Sequence, residues 1–321
     1  MNIHIRQPIE YEKIVTSNTT KAIELTRHRM SVQQLLDSRD NDKNLKERLQ
    51  SYIKAFDAFY TNINPCVKLQ KQPFFQWIVA GKPLYSSCWK FEAIVPRVVL
   101  SEMFYTEGVN YVQEGDYKNA AKSFKNAEQS HLDTIEQLKG WKWKLPGVNH
   151  HILQLKWHYS SIHHLQSLQH LCMISVGLDK EAAAKTLYTV AQRATTAAAK
   201  SIVEWPERPN TLQLCESLQR LFSSHILWER EEYGGSIHRL KNIPESVNTF
   251  DFEIIQQEMN KVPFLMRERR QINNGAYFDI EKEVCPLPTP HELIHMESTD
   301  VPHPPNSRNT QEGPVPAEAR D

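Results

Sequence analysis

Apolar positions along most of this 321-residue chain recur every three or four residues, the spacing of a helix with one buried face. Leu25, Leu35, Leu36, Leu45, Leu49, Ile53 and Phe56 keep that spacing and predict helix over 19–62, interrupted around 37–41. Residues 63–86 carry Pro65, Pro73, Gly81 and Pro83 and read as irregular. A helix over 87–113 follows. Pro96 is expected to kink it or divide it at Val95, because proline lacks the N–H and crowds the preceding turn. Ala120, Phe124, Ala127, Ile135 and Leu138 form one stripe of a helix over 116–138. Further helices are predicted over 149–176, over an alanine-rich 180–203, over 210–242 with Leu214, Leu218, Leu221, Phe222 and Leu227 as core, and over 251–272. No segment sustains strand alternation, so the fold class is all-α, with a small N-terminal strand or hairpin as the one exception allowed.

Within this pattern, Gly115-Asp116-Tyr117-Lys118-Asn119-Ala120-Ala121-Lys122-Ser123-Phe124-Lys125-Asn126-Ala127 reads as a tetratricopeptide-like kernel. Small residues sit where helices touch and aromatics fill the gaps, as in an α-solenoid that builds a peptide groove. The chain therefore reads first as a binding scaffold. Eight of the 18 prolines lie at or after Pro286, so no helix is expected to continue there. Residues 276–298, with Tyr277, Phe278, Ile280, Leu287, Leu293 and Ile294, are expected to lie along the body as an extended strap. The expected organisation is one helical domain over 1–298 and a disordered, proline-rich tail over 299–321.

Composition narrows the classes. Hydrophobic residues are 40% of the chain, enough for a sizeable core. Lys+Arg and Asp+Glu number 38 each, a balance that argues against a nucleic-acid binder. Met1-Asn2-Ile3-His4-Ile5-Arg6 has no apolar h-region, and no run of about 18 apolar residues occurs, so neither a secretory signal nor a membrane span is expected. With Asn2 at the second position and Ala319-Arg320-Asp321 at the end, neither N-myristoylation nor prenylation is expected. Cys66, Cys88, Cys172, Cys215 and Cys285 are scattered and odd in number, which fits buried thiols in a reducing, cytoplasmic compartment.

Several short strings resemble, in order, the BRO1 domain of Alix-type and Bro1-type endosomal proteins. Phe74-Phe75-Gln76-Trp77 followed by Lys90-Phe91-Glu92-Ala93-Ile94 resembles the family's entry into its central helices. Asn119-Ala120-Ala121-Lys122-Ser123-Phe124 resembles its tetratricopeptide-like core, and Tyr233-Gly234-Gly235-Ser236-Ile237-His238-Arg239-Leu240 the end of a late helix. Asn274-Gly275-Ala276-Tyr277-Phe278 followed by Pro286-Leu287-Pro288 resembles the closing strap. The similarity covers about 25–297 and is nearest in architecture to the single-domain BRO1-and-CAAX type, without the CAAX cysteine. Ser167-Leu168-Gln169-His170-Leu171 stands where the family has "AQAQE". The resemblance implies a boomerang of long helices and recruitment to endosomal membranes by an ESCRT-III subunit. The C-terminal amphipathic helix of that subunit would lie on an apolar patch of two adjacent helices. Mapped by order, the patch is Met173, Ile174, Ala183, Leu187 and Val190, with Thr186 nearby; the alternative is that these residues are ordinary core.

Other strings suggest chemistry. His291-Glu292-Leu293-Ile294-His295 matches H-E-x-x-H, whose histidines on a helix share a zinc ion with the glutamate as general base. Its place in the proline-rich strap argues against that reading, so His291 and His295 remain the weakest candidates and no metal or other cofactor is expected. His150, His151, His158, His163, His164 and His170 include no i, i+4 pair and read as polar helix faces or interhelical hydrogen bonds. Lys139-Gly140-Trp141-Lys142-Trp143-Lys144 makes Lys139, Lys142 and Lys144 candidates for contact with an anionic membrane, against a solvated turn. Lys118, Lys122 and Lys125 could clamp the carboxylate of an unrelated peptide. No Gly-rich phosphate loop, G-x-S-x-G elbow or Cys/His nucleophile pair occurs, so the chain reads as a non-enzymatic adaptor.

Overall fold

The computed structural model describes residues 4–5, 9–11, 19–38, 42–60, 75–79, 82–86, 89–139, 151–207 and 209–283. These lie within one compact unit spanning Met1–Cys285. The chain is all-α apart from a small antiparallel sheet. In order come β1 (His4–Ile5), α1 (Thr19–Ser38), α2 (Asp42–Tyr60), β2 (Phe75–Val79), β3 (Lys82–Ser86), α3 (Trp89–Gln113), α4 (Tyr117–Leu138), α5 (Leu155–Asp179), α6 (Ala184–Glu204), α7 (Leu212–Glu229), α8 (Tyr233–Lys241), α9 (Glu253–Asn260) and α10 (Val262–Ile272). Helices α3 to α7 pack each on the next as a layer, and α1 and α2 pack beside α3.

The sheet corrects the expectation of irregular structure for 75–79 and 82–86, while 63–74 lie outside the described residues. Strand β2 pairs with β1 (Ile5 opposite Trp77) and with β3 (Phe75 opposite Ser86). Phe75 and Trp77 point into the core while Gln76 and Ile78 are half-buried, a period-2 pattern too short to stand out in sequence. Pro83 reads as a breaker, yet it lies on β3, an edge strand of the order β1-β2-β3, where a missing N–H costs no ladder bond.

Trp77 matters because of where its indole N–H goes. It donates to Glu92 Oε2 at 2.8 Å. Glu92 Oε1 accepts from Arg29 Nε at 2.9 Å and from Tyr52 O–H at 2.6 Å. Tyr11 O–H then donates to Tyr52 at 2.8 Å, and the Tyr11 N–H donates to Thr26 Oγ1. Glu92 is fully buried, so its charge is tolerated only because a guanidinium and two further donors surround it. One carboxylate thus joins α1, α2, β2 and α3. Around it Trp89 packs against Tyr11, Phe56, Phe59 and Phe75, with ring centroids 5.5 to 6.3 Å apart. Burial, and next the Glu92 charge, push the Tyr11 and Tyr52 hydroxyls well above the usual phenol range, so both stay protonated donors.

Pro96 was expected to kink α3 or divide it at Val95; the helix is not divided and runs through it. Residues 91–101 are all buried, and packing on every side outweighs the roughly 3 kcal/mol that an internal proline costs. The kernel that follows is a turn with a local cause at each position. Gly115 adopts φ +75°, and the N–H groups of Gly115 and Asp116 close onto Val112 O and Tyr111 O as a Schellman motif. Asp116 Oδ1 then caps α4 by accepting from the Asn119 N–H at 3.1 Å.

Two predicted helices are each two. The 210–242 stretch breaks at Glu231 (φ +64°), whose neighbour Glu232 donates to Leu227 O in the same 6→1 closure. The 251–272 stretch breaks at Lys261, and Pro263 sits in the first turn of α10. The break after α7 turns α8 toward the strap. Tyr233 stacks on Tyr277 at 3.9 Å, and the Gly234 N–H donates to Asp279 Oδ2 at 2.8 Å. A Cβ on Gly234 would sit 2.0 Å from Ile280 O, so only glycine admits the strap here. Beneath this seam Arg269 of α10 donates to Ser224 O, Ser224 Oγ, Ser236 Oγ and His225 Nδ1, and lies 4.9 Å over the Trp228 ring.

Two measurements check these readings. Glu92→Ala leaves the Arg29 cation buried without its carboxylate and should cost about 3–5 kcal/mol in urea unfolding. His225 must stay neutral to accept from Arg269; burial, and next the Arg269 charge, hold its pKa down at about 4, against a smaller upward pull from Glu258. Between its ordinary 6.5 and about 4, the unfolded chain takes up a proton there that the folded chain refuses, so stability falls as pH falls through that window. His225→Gln keeps the acceptor without the titration, and its unfolding midpoint should fall less over the same window.

Candidate interaction surface on helices α4 to α6

Helix α4 buries Ala120, Phe124 and Ala127 and exposes Lys118, Lys122 and Lys125, which share one face at i, i+4 and i+7. Phe124 reaches α3 through Gly108, where a Cβ would lie 2.6 Å from the ring. One turn beyond Lys125, Glu128 is 1% exposed. Its carboxylate accepts from Lys125 Nζ at 3.1 Å, Gln166 Nε2 at 3.1 Å and Gln169 Nε2 at 2.9 Å. The lysine face of α4 therefore borders the α5 face that carries Gln166, Gln169 and, one turn on, Met173.

On the other flank, α6 runs antiparallel to α5. Its alanines Ala191, Ala194, Ala197 and Ala198 are buried and let the helices close. Ser160 and Ser201 exchange hydroxyl-to-carbonyl bonds at 2.9 and 3.0 Å and set the register. Thirteen residues along each helix from that pair (160 to 173, 201 to 188), Met173 comes level with the turn that carries Val190. His170 of α5 is neutral below the usual imidazole range through burial first and, against the Gln166 carbonyl it bonds, the nearby Arg193 charge of α6. Met173 thus lies on a strip between the lysines of α4 and Arg193 of α6.

The residues named from sequence for the partner patch divide. Met173 is 38% exposed, Ala183 and Thr186 are exposed, and Val190 is half-buried. Ile174 is fully buried and Leu187 is 5% exposed. Leu187 occupies the space a side chain at Gly177 would need, its Cδ2 2.7 Å from that Cβ position. Leu187 is a seam-filling residue beneath the surface, and Met173 and Val190 are the larger apolar side chains of the set that keep accessible atoms. Sequence reasoning missed Gln166, Gln169 and Arg193 as the polar border. The signal was present in the i, i+3, i+7 spacing of Gln166, Gln169 and Met173.

The remaining candidates fall elsewhere. Lys139 is exposed and pairs with Glu136, whereas Lys142 and Lys144 lie outside the described residues, as do His291 and His295. His158 Nε2 donates to Ile152 O at 2.8 Å, which leaves its Nδ1 to accept from His131 Nδ1 at 3.0 Å, an interhelical bond between α5 and α4. Among the described residues no group of three or more His, Cys, Asp or Glu side chains is placed to hold a metal, and no helix is long and apolar enough to cross a membrane. Cys172 and Cys215 are buried, and burial pushes both thiols up to about 12, so neither is a nucleophile. A second concavity of about 160 Å³ lies between α3 and α5, lined by Tyr105, Val109, Leu168 and Phe252. The 250–252 loop is part of its wall, with Phe252 stacked on Tyr117 at 5.9 Å.

No protein-family model and no curated protein matches the chain. Solved structures do match. The crystal structure of ALIX in complex with the SIVmac239 PYKEVTEDL late domain aligns over 88% of this chain and 45% of that one, with 11% identity and a TM-score of 0.67. The ALIX BRO1–CHMP4C complex aligns over 88% of this chain and 89% of that one, with 12% identity and a TM-score of 0.67. A Bro1 domain structure that gives the basis for endosomal targeting aligns over 88% and 86%, with 14% identity and a TM-score of 0.64. The chain thus has a BRO1-like fold, and it spans under half the length of the ALIX chain in the first of these.

Proposed function

We propose that this protein is a non-enzymatic adaptor that docks the amphipathic C-terminal helix of an ESCRT-III-type partner and acts in endosomal sorting or membrane remodelling. The observation that carries the reading is Met173, a methionine left 38% exposed in the middle of a long helix, inside the fold shared with the ALIX BRO1–CHMP4C complex. A helix that lays apolar residues along such a strip gains most of its affinity from a few anchors. Methionine suits the task, because its flexible, polarizable side chain adapts to the guest. The site would be cytoplasmic, with recruitment to endosomal membranes through the partner and a peripheral lipid contact at Lys139, Lys142 and Lys144.

The structure changes which variant tests the idea. Leu187→Asp would bury a charge and report on folding, whereas Met173→Asp alters an accessible side chain and leaves the core intact. Titrating a labelled C-terminal helix of CHMP4C should show Met173→Asp weakened about tenfold or more with unchanged circular dichroism, as expected for loss of a central anchor. Equal affinity of variant and wild type removes this surface from the proposal.

A further inference from the structure

We infer that the strip around Met173 selects a guest helix whose flanks are acidic, a preference that rests on the docking role proposed above and adds to it the chemistry of the partner. Three observations carry it. Lys118, Lys122 and Lys125 are exposed on the α4 edge of the strip, and Arg193 is exposed on the α6 edge. The floor between them is uncharged: Gln166, Gln169, Met173 and Val176, with His170 held neutral by burial and by Arg193. The carboxylate nearest this end, Glu128, is 1% exposed and already saturated by Lys125, Gln166 and Gln169, so it offers nothing to a guest.

A row of lysines on one edge and a single arginine on the other, about an uncharged floor, make a rim that favours negative charge on both sides of an apolar stripe. At the far end of the same strip the charge is mixed: Asp133 and Glu136 are exposed on α4, and both Lys200 and Glu204 of α6 are near enough to His163 to act on it. Asp179 and Glu181 lie beyond the other end, past Gly177. The stretch edged by cations alone is the turns about Met173. Rim charges of this kind act through encounter rate and salt dependence more than through buried contact.

The test uses the full chain and two labelled amphipathic peptides of about five helical turns. They carry the same leucine stripe and differ only in Glu or Lys at the flanking positions. Lys118→Glu/Lys122→Glu reverses the rim and spares Lys125, whose pairing with Glu128 is structural. At low salt the wild type should bind the Glu-flanked peptide about tenfold more tightly than the Lys-flanked one, the double variant should lose or reverse that preference, and high salt should erase it. Met173→Asp should weaken both peptides, the Glu-flanked one more because the new carboxylate repels it. Equal wild-type affinity for the two peptides, or no binding of the Glu-flanked one, overturns the charge preference even where the CHMP4C helix binds. Binding of either peptide that Met173→Asp leaves unchanged instead overturns the docking surface itself.

Discussion

One buried carboxylate ties the first quarter of this protein to the rest. Glu92 accepts from Arg29, Tyr52 and Trp77, which come from α1, α2 and β2, while Glu92 itself opens α3. Taking an ionised carboxylate out of water costs several kcal/mol, and that cost is recovered only while every donor is in place. The arrangement therefore specifies position as much as it stabilises: displacement of any one element uncovers a buried charge. Helix α3 is the first of the α3–α7 layer, so the orientation of everything downstream, the Met173 strip included, is referred to this point. A second tie holds α2 to the outer turns of α3, through the Arg97 guanidinium on Asp57 and Lys46 on Glu107.

Downstream the layer is held differently. Small residues let long helices approach closely, and the closeness is filled by one large neighbour: Phe124 over Gly108, Leu187 over Gly177. Buried serines complete the seams. Ser161 and Ser175 return their hydroxyls to the carbonyl four residues back, Ser167 meets Thr211 at 2.9 Å, and Ser160 pairs with Ser201. A hydroxyl that bonds its own helix is satisfied without a partner on the next, so these positions tolerate close packing at little polar cost. The consequence for function is that the α4–α6 seams are sealed from inside. What is left at the surface is a narrow strip, and its chemistry is set by few residues.

The order of helices was legible because the 3.6-residue period runs through nearly the whole chain, and the all-α class follows from that alone. Ends were legible where glycine supplied the left-handed turn, as at Gly115. They were hidden where a glutamate does the same, at Glu181 after α5 and Glu231 after α7, since nothing in those residues signals a Schellman closure. The hairpin was hidden by its length and by Pro83. Short strings that resembled a family pattern prove to be contacts: Trp77 with Glu92, and Tyr233-Gly234 with Tyr277 and Asp279. Which of the residues expected at the candidate surface reach water was not legible: Ile174 and Leu187 differ from Met173 only in the direction they face, and a residue or two along a helix decides between core and solvent.

That last distinction explains why the strip remains open. Helix α5 buries its flanks against α4 and α6, so among its apolar residues only those on the narrow face between the two seams can reach water. Gln166, Gln169 and His170 occupy that face with groups already engaged, to Glu128 and to the Gln166 carbonyl. Met173 breaks the run. A third amide there would have kept the face polar at no loss to either seam, because the side chain contributes little to packing at 38% exposure. A methionine is instead a standing cost of exposed apolar surface, small for one residue by the usual area scaling, and in the docking role proposed above a guest helix covering it would recover that cost. The lysines of α4 and Arg193 of α6 on either side supply solubility, so that the exposed apolar atoms do not by themselves make the free protein associate with itself.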